Sequence, residues 1–148
     1  MTTAGSFDIA QSPPVPEPSE LTQFYWDAVE QHRLELLRCQ SCGHYVHYPR
    51  RICNRCLSDD LAPEEVSGRG TLYSYTEIMQ ASHPYYRDKL PYVIGIIDLG
   101  EEPGVRLPTG IVDCPADDLR CGMPMEVVFR QVTPTLVLPY FRPTRGSR

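Results

Sequence analysis

Cys39-Gln40-Ser41-Cys42 and Cys53-Asn54-Arg55-Cys56 form two CxxC pairs separated by ten residues, and they decide the fold. Each pair can turn so that two sulfurs face one ion. Gly43, directly after the first pair, suits a left-handed backbone position. Two such knuckles supply four thiolates in a tetrahedron, the closed coordination of structural zinc. Iron fits the same cage, and a rubredoxin-like electron carrier is the matching alternative, although the short gap between the pairs favours zinc. Four protein ligands leave no place for water, so the metal staples the chain and does not act as a Lewis acid. The N-terminal residues 1–10 have neither the basic nor the apolar region of a secretory signal, so a cytoplasmic location is expected. Disulfides between these thiols are disfavoured there.

Upstream of the knuckles, four prolines in residues 1–18 (Pro13, Pro14, Pro16, Pro18) predict a disordered or extended lead-in. A helix is expected over 19–35. Leu21, Phe24, Tyr25, Ala28 and Val29 recur at helical spacing, with Ser19 as N-cap and Glu20 in the first turn. Trp26 lies towards the edge of that stripe, packed on the domain behind it or anchoring a partner. The ribbon is assigned to 36–62.

Downstream the pattern changes to short strands: 71–79, 92–99, 105–112, 125–132 and 135–138. In the first, alternation puts Tyr73 and Tyr75 on one face. Pro108 must sit at an edge or bulge, because it cannot donate to a ladder. Five strands match the strand count of an OB-fold, assigned to 63–143 with a tail at 144–148. The chain is therefore read as mainly β: an N-terminal helix, a tetracysteine zinc ribbon, then a five-stranded OB-fold barrel. The remaining cysteines, Cys114 and Cys121, read as buried thiols. His44 and His47 read as surface or packing residues, and residues 83–86 as an aromatic loop.

Composition narrows the function. Of 148 residues, 41% are hydrophobic, which excludes wholesale disorder, and no apolar run is long enough to cross a bilayer. The net charge of −5 argues against a general nucleic-acid binder. Between Leu36 and Leu57, however, lie Arg38, Arg50, Arg51 and Arg55 with no Asp or Glu. They either offset the negative charge of the thiolate cage or form an anion site, since guanidinium forks match phosphate. No GxSxG, Walker, HExxH or dinucleotide-binding motif is present.

Several segments, taken in order, carry a resemblance: Phe24-Tyr25-Trp26-Asp27-Ala28, Leu36-Leu37-Arg38 running into the first knuckle, Tyr48-Pro49-Arg50-Arg51-Ile52 running into the second, Gly68-Arg69-Gly70-Thr71, Gly122-Met123-Pro124-Met125, and Pro139-Tyr140-Phe141-Arg142-Pro143. Over roughly 19–143 the chain resembles the acyl-CoA-associated OB-fold family with an N-terminal rubredoxin-like zinc ribbon. That resemblance implies a small accessory subunit accompanying thiolase-superfamily enzymes, including lipid-transfer-protein-type thiolases and the related aldolases of steroid side-chain degradation. It implies Zn2+ on Cys39, Cys42, Cys53 and Cys56 and a coenzyme A thioester as ligand. On this reading Arg50, Arg51 and Arg69 meet phosphates, while Tyr73 or Tyr75 stacks on a ring. Trp26, Tyr140 and Phe141 are expected at the partner interface, or, for the C-terminal segment, folded back across the ribbon. A single-stranded nucleic-acid module is the competing class, because zinc ribbons and OB barrels both serve it.

Overall fold

The computed structural model describes residues 12–145, so the earliest part of the lead-in and the end of the tail lie outside the described residues. Residues 12–18 form no regular element, but Pro13 is buried. Helix α1 (Gln23–Glu30) is shorter than expected at both ends. Ser19 closes a turn by accepting from the N–H groups of Thr22 and Gln23, so Thr22 takes the cap position. The far end is a Schellman closure: Arg33 N–H donates to Ala28 O at 2.8 Å and His32 N–H to Val29 O at 2.9 Å. His32 fills the left-handed position that glycine usually takes, with φ 59°. Its ring stacks on Phe129, centroids 5.4 Å apart.

The ribbon is a three-stranded antiparallel sheet in the order β2-β1-β3, built from β1 (Glu35–Cys39), β2 (Tyr45–Val46) and β3 (Leu61–Glu65). The barrel comprises β4 (Arg69–Ile78), β5 (Tyr92–Leu99), β6 (Arg106–Ile111), β7 (Pro124–Thr133) and β8 (Leu136–Pro143). It closes in the order β4-β5-β6-β8-β7, the five-stranded barrel expected. The aromatic stretch expected as loop, 83–86, instead contributes α2 (Pro84–Arg87), capped by His83 Nδ1 accepting from Tyr85 N–H at 3.2 Å.

The C-terminal aromatic stretch is the main departure. Residues 139–143 neither cross the ribbon nor hang free; they complete β8, paired with β7 along its length and with β6 at Ile111↔Phe141. A closed barrel needs this last strand, and Phe141 is fully buried within it. Phe141 is thus a core residue and not an interface residue.

The β6–β8 seam is the weakest closure. Val112 N–H donates to Phe141 O at 2.9 Å, and Thr109 Oγ1 reaches Pro139 O at 3.2 Å. By alternation from Val112, the nitrogen of Pro108 faces this seam, where a missing N–H is tolerated. Ribbon and barrel share one core. Leu34, Leu36 and Tyr45 pack with Leu72, Ile97, Met125 and Phe141. A second cluster of Leu37, Cys39, Val46 and Cys53 backs the knuckles.

Candidate metal centre and adjoining aromatic groove

The four sulfurs of Cys39, Cys42, Cys53 and Cys56 lie within 4.8 Å of one another. Cys39 and Cys53 are buried at the end of β1 and in the second knuckle, while Cys42 and Cys56 face outward. In each knuckle the residue after the second cysteine donates its N–H to the first cysteine's carbonyl: Gly43 to Cys39 at 2.9 Å, Leu57 to Cys53 at 3.0 Å. Backbone amides also point at sulfur. The N–H of Cys42, helped by that of Ser41, outweighs desolvation and holds the Cys39 thiol down to about 6. The amides of Cys56 and Arg55 act likewise on Cys53. Cys56 goes the other way: the Ser58 amide lowers it, but its neighbouring sulfurs and desolvation prevail and push it up to about 12, as expected for thiols crowded together. A four-sulfur set of this size and shape fits zinc, whose charge would hold all four as thiolates.

The ribbon arginines split in two. Arg38 donates from Nη1 to both carboxylate oxygens of Glu64 of β3, the nearer at 2.9 Å, and Arg55 meets Glu102 of the β5–β6 turn at 2.8 Å. Carboxylates from outside the knuckle segment therefore neutralise both. Among the described residues Arg51 has only an exposed contact, with Glu20 at 3.2 Å. Arg50 makes no ion pair among the described residues.

Beside the ribbon runs an aromatic groove. A cavity of about 430 Å³ lies over the β6–β8 seam, walled by Tyr25, Trp26, Tyr86, Tyr92, Pro108 and Tyr140. A second, of about 210 Å³, shares Tyr25, Trp26 and Pro108 and continues to His47, Tyr48 and Pro49 of the ribbon. The two share these three walls, and the ribbon end of the second is followed directly in sequence by Arg50 and Arg51. Burial pushes the Tyr25 phenol up to about 12, with Tyr48 adding to the effect. At the ribbon end, His47 Nε2 is buried with no hydrogen-bond partner among the described residues, and burial lowers that imidazole's pKa.

The remaining expected residues fall elsewhere. Arg69, Tyr73 and Tyr75 lie on β4 and line neither cavity. A bulge between Leu72 and Ser74 breaks the alternation at Tyr73, whose ring is covered by Arg106 at 3.7 Å. Tyr75 donates its hydroxyl to Leu119 O at 3.1 Å. Cys121 is exposed and Cys114 half-buried, so the expectation of two buried thiols fails for Cys121, which follows the exposed Arg120 in a turn. His44 does pack, bridging Glu102 and Asn54. Sequence reasoning missed Tyr25, Tyr86, Tyr92 and Pro108 as groove walls, because they meet only across the seam.

Comparison with known proteins agrees with this architecture. Residues 26–62 match the family model described as the ChsH2 rubredoxin-like zinc ribbon domain, and residues 63–130 match the ChsH2 C-terminal OB-fold domain. A protein named "DUF35 domain-containing scaffold protein" from Methanocaldococcus jannaschii is 36% identical over 70% of this chain and 72% of its own length. A "Probable enoyl-CoA hydratase alpha subunit" from Thermomonospora curvata is 36% identical over 81% of this chain. This chain spans only 36% of that protein. A solved chain of an "Ltp2-ChsH2(DUF35) aldolase" superposes with TM-score 0.79 at 34% identity, covering 87% of this chain and 98% of that one. With its tetracysteine ribbon, closed OB barrel and these relatives, the chain belongs to the DUF35 family of ChsH2-type zinc-ribbon OB-fold proteins.

Proposed function

We propose that this chain is a non-catalytic accessory subunit that scaffolds a thiolase-superfamily enzyme, a thiolase or retro-aldolase, and helps seat its acyl-CoA thioester. The scaffold role follows the name of the archaeal relatives. An enzyme partner is in keeping with the aldolase complex to which the chain is similar, and acyl-CoA chemistry with the hydratase subunit, while the thiolase superfamily is what the resemblance of the sequence implies.

One observation carries the ligand reading: an apolar groove ends at Tyr48 and Pro49, and the next residues are Arg50 and Arg51. Its walls suit a long, flexible, weakly polar arm. The two guanidinium groups suit phosphates, being free of strong internal partners. At that ribbon end His47 Nε2, without a hydrogen-bond partner among the described residues, offers a polar contact. Arg69, Tyr73 and Tyr75 have no part in this site. Zinc bound by Cys39, Cys42, Cys53 and Cys56 would hold the Tyr48–Arg51 segment in place as a structural ion with its coordination filled by protein.

Trp26 is the sole tryptophan, so its fluorescence reports on the groove. Titration with an acyl-CoA thioester should change its emission saturably. The Arg50→Ala, Arg51→Ala double variant should bind roughly tenfold or more weakly, the effect of losing charge-assisted phosphate contacts. Unaltered emission together with no heat in isothermal titration would remove the ligand reading. Co-expression with a thiolase-superfamily subunit from the same genome tests the scaffold reading, and recovery of two separate proteins would remove it.

A further inference from the structure

The two knuckles differ at one geometrically equivalent position. Gly43 and Leu57 each follow their knuckle's second cysteine, donate to the first cysteine's carbonyl, and adopt left-handed backbone, with φ 77° and 65°. Glycine occupies that region freely. A leucine there crowds its own Cβ against the following carbonyl. Burial does not compensate, since Leu57 is 77% exposed. Ile52, 50% exposed, stands in the same shallow depression of about 370 Å³, which Arg50, Arg51 and Asn54 also line. In the isolated chain Leu57 is thus unfavourable twice over, through strained backbone and through apolar surface in water.

We infer that Leu57 is the apolar knob of a protein-docking surface on the second knuckle. It seats, with Ile52, in an apolar pocket edged by carboxylates on the enzyme subunit. This rests on the scaffold reading above. The carboxylate edge follows from the knob's surroundings. Arg38 and Arg55 are taken up by Glu64 and Glu102, but Arg50 and Arg51 line the depression beside Leu57 and Ile52, with no acidic residue among its walls. Each guanidinium has donors enough to meet a carboxylate as well as a phosphate, and Arg51 already lies on the carboxylate of Glu20. A free nucleotide could satisfy the arginines but would leave Leu57 and Ile52 in water. A protein surface covers both. Such a patch, with an apolar centre and cationic edge, is the usual anatomy of an interface anchor.

The test uses the full zinc-loaded chain and the thiolase-superfamily subunit from the co-expression experiment. Leu57→Gly removes both the strain and the knob. Its Tm should rise by about 2–4 °C, while its affinity for the enzyme subunit should fall roughly tenfold or more. Ile52→Ser, at a position without left-handed backbone, should weaken binding with no gain in Tm. Added salt should weaken wild-type binding as the charged edge is screened. The inference is overturned if Leu57→Gly lowers Tm, because Leu57 then packs within its own chain. It is equally overturned if the wild-type chain dimerises with itself through Leu57. A Leu57→Gly chain that binds as tightly as wild type removes the knob alone. A wild-type chain that does not bind the subunit removes the scaffold reading beneath it.

Discussion

His44 in the ribbon and Glu102 in the β5–β6 turn of the barrel are joined by a hydrogen bond of 3.0 Å from Nδ1 to the carboxylate. The same carboxylate accepts from Tyr45 N–H at 2.8 Å and from Arg55 at 2.8 Å, so one barrel side chain holds three ribbon groups. Glu102→Gln should destabilise the protein by about 2 kcal/mol, because charge-assisted bonds are replaced and a buried partner loses its acceptor. Desolvation raises the carboxyl's pKa, but the His44, Tyr45 and Arg55 contacts outweigh it, and the net shift is downward. A carboxyl with a lower pKa folded than unfolded stabilises above the ordinary range of about 4.3, and that contribution is lost as pH falls below it. Urea midpoints measured between pH 7 and 3 should therefore fall more steeply for wild type than for Glu102→Gln. Parallel curves would contradict the clamp.

Gly110 and Tyr140 meet across the β6–β8 seam. A Cβ at position 110 would lie 2.6 Å from the Tyr140 ring, so the ring rests directly on the glycine. Gly110→Ala should cost about 1–3 kcal/mol by overpacking and tilt Tyr140 into the groove. Combined with Tyr140→Ala, the alanine should cost much less, a non-additivity of contacting residues that thermal denaturation of the four-member cycle would measure. Additive losses would mean that Tyr140 is not held where the groove requires it.

Removing the metal should affect more than the ribbon. Leu34, Leu36 and Tyr45 belong to the barrel's core cluster, so ribbon and barrel should melt together. Chelation, or Cys42→Ser, should lower Tm by at least about 10 °C in a single transition, given the large folding contribution of structural zinc. Calorimetry showing an unaltered barrel transition beside a lost ribbon would contradict the shared core.

How much of this was legible in the chain differs by element. The CxxC spacing announced the cage because metal geometry imposes a local pattern on residue types. The strand run 92–99 was legible to the residue because its apolar run is bounded by Pro91 and by the Gly100 turn, although only alternate residues of it are buried. The end of the chain was misread. Phe141 between prolines looks like surplus aromatic surface until β6 needs a partner, and that need is non-local. Part of the surplus positive charge of the ribbon was likewise an artefact of reading a segment alone, while Arg50 keeps its charge unpaired among the described residues. Glu64, Glu102 and Glu20 arrive from other parts of the chain to meet Arg38, Arg55 and Arg51. The groove could not be read at all, because its walls come from α1, α2, three barrel strands and the ribbon.

The central claim is that this chain assists catalysis on acyl-CoA thioesters without performing it. The most direct measurement is turnover of an acyl-CoA thioester by the thiolase-superfamily subunit, assayed with and without this chain and with this chain alone. The account predicts no turnover by the chain alone and a clear gain when it joins the enzyme. Turnover by the chain alone, or an enzyme equally fast without it, would contradict the account.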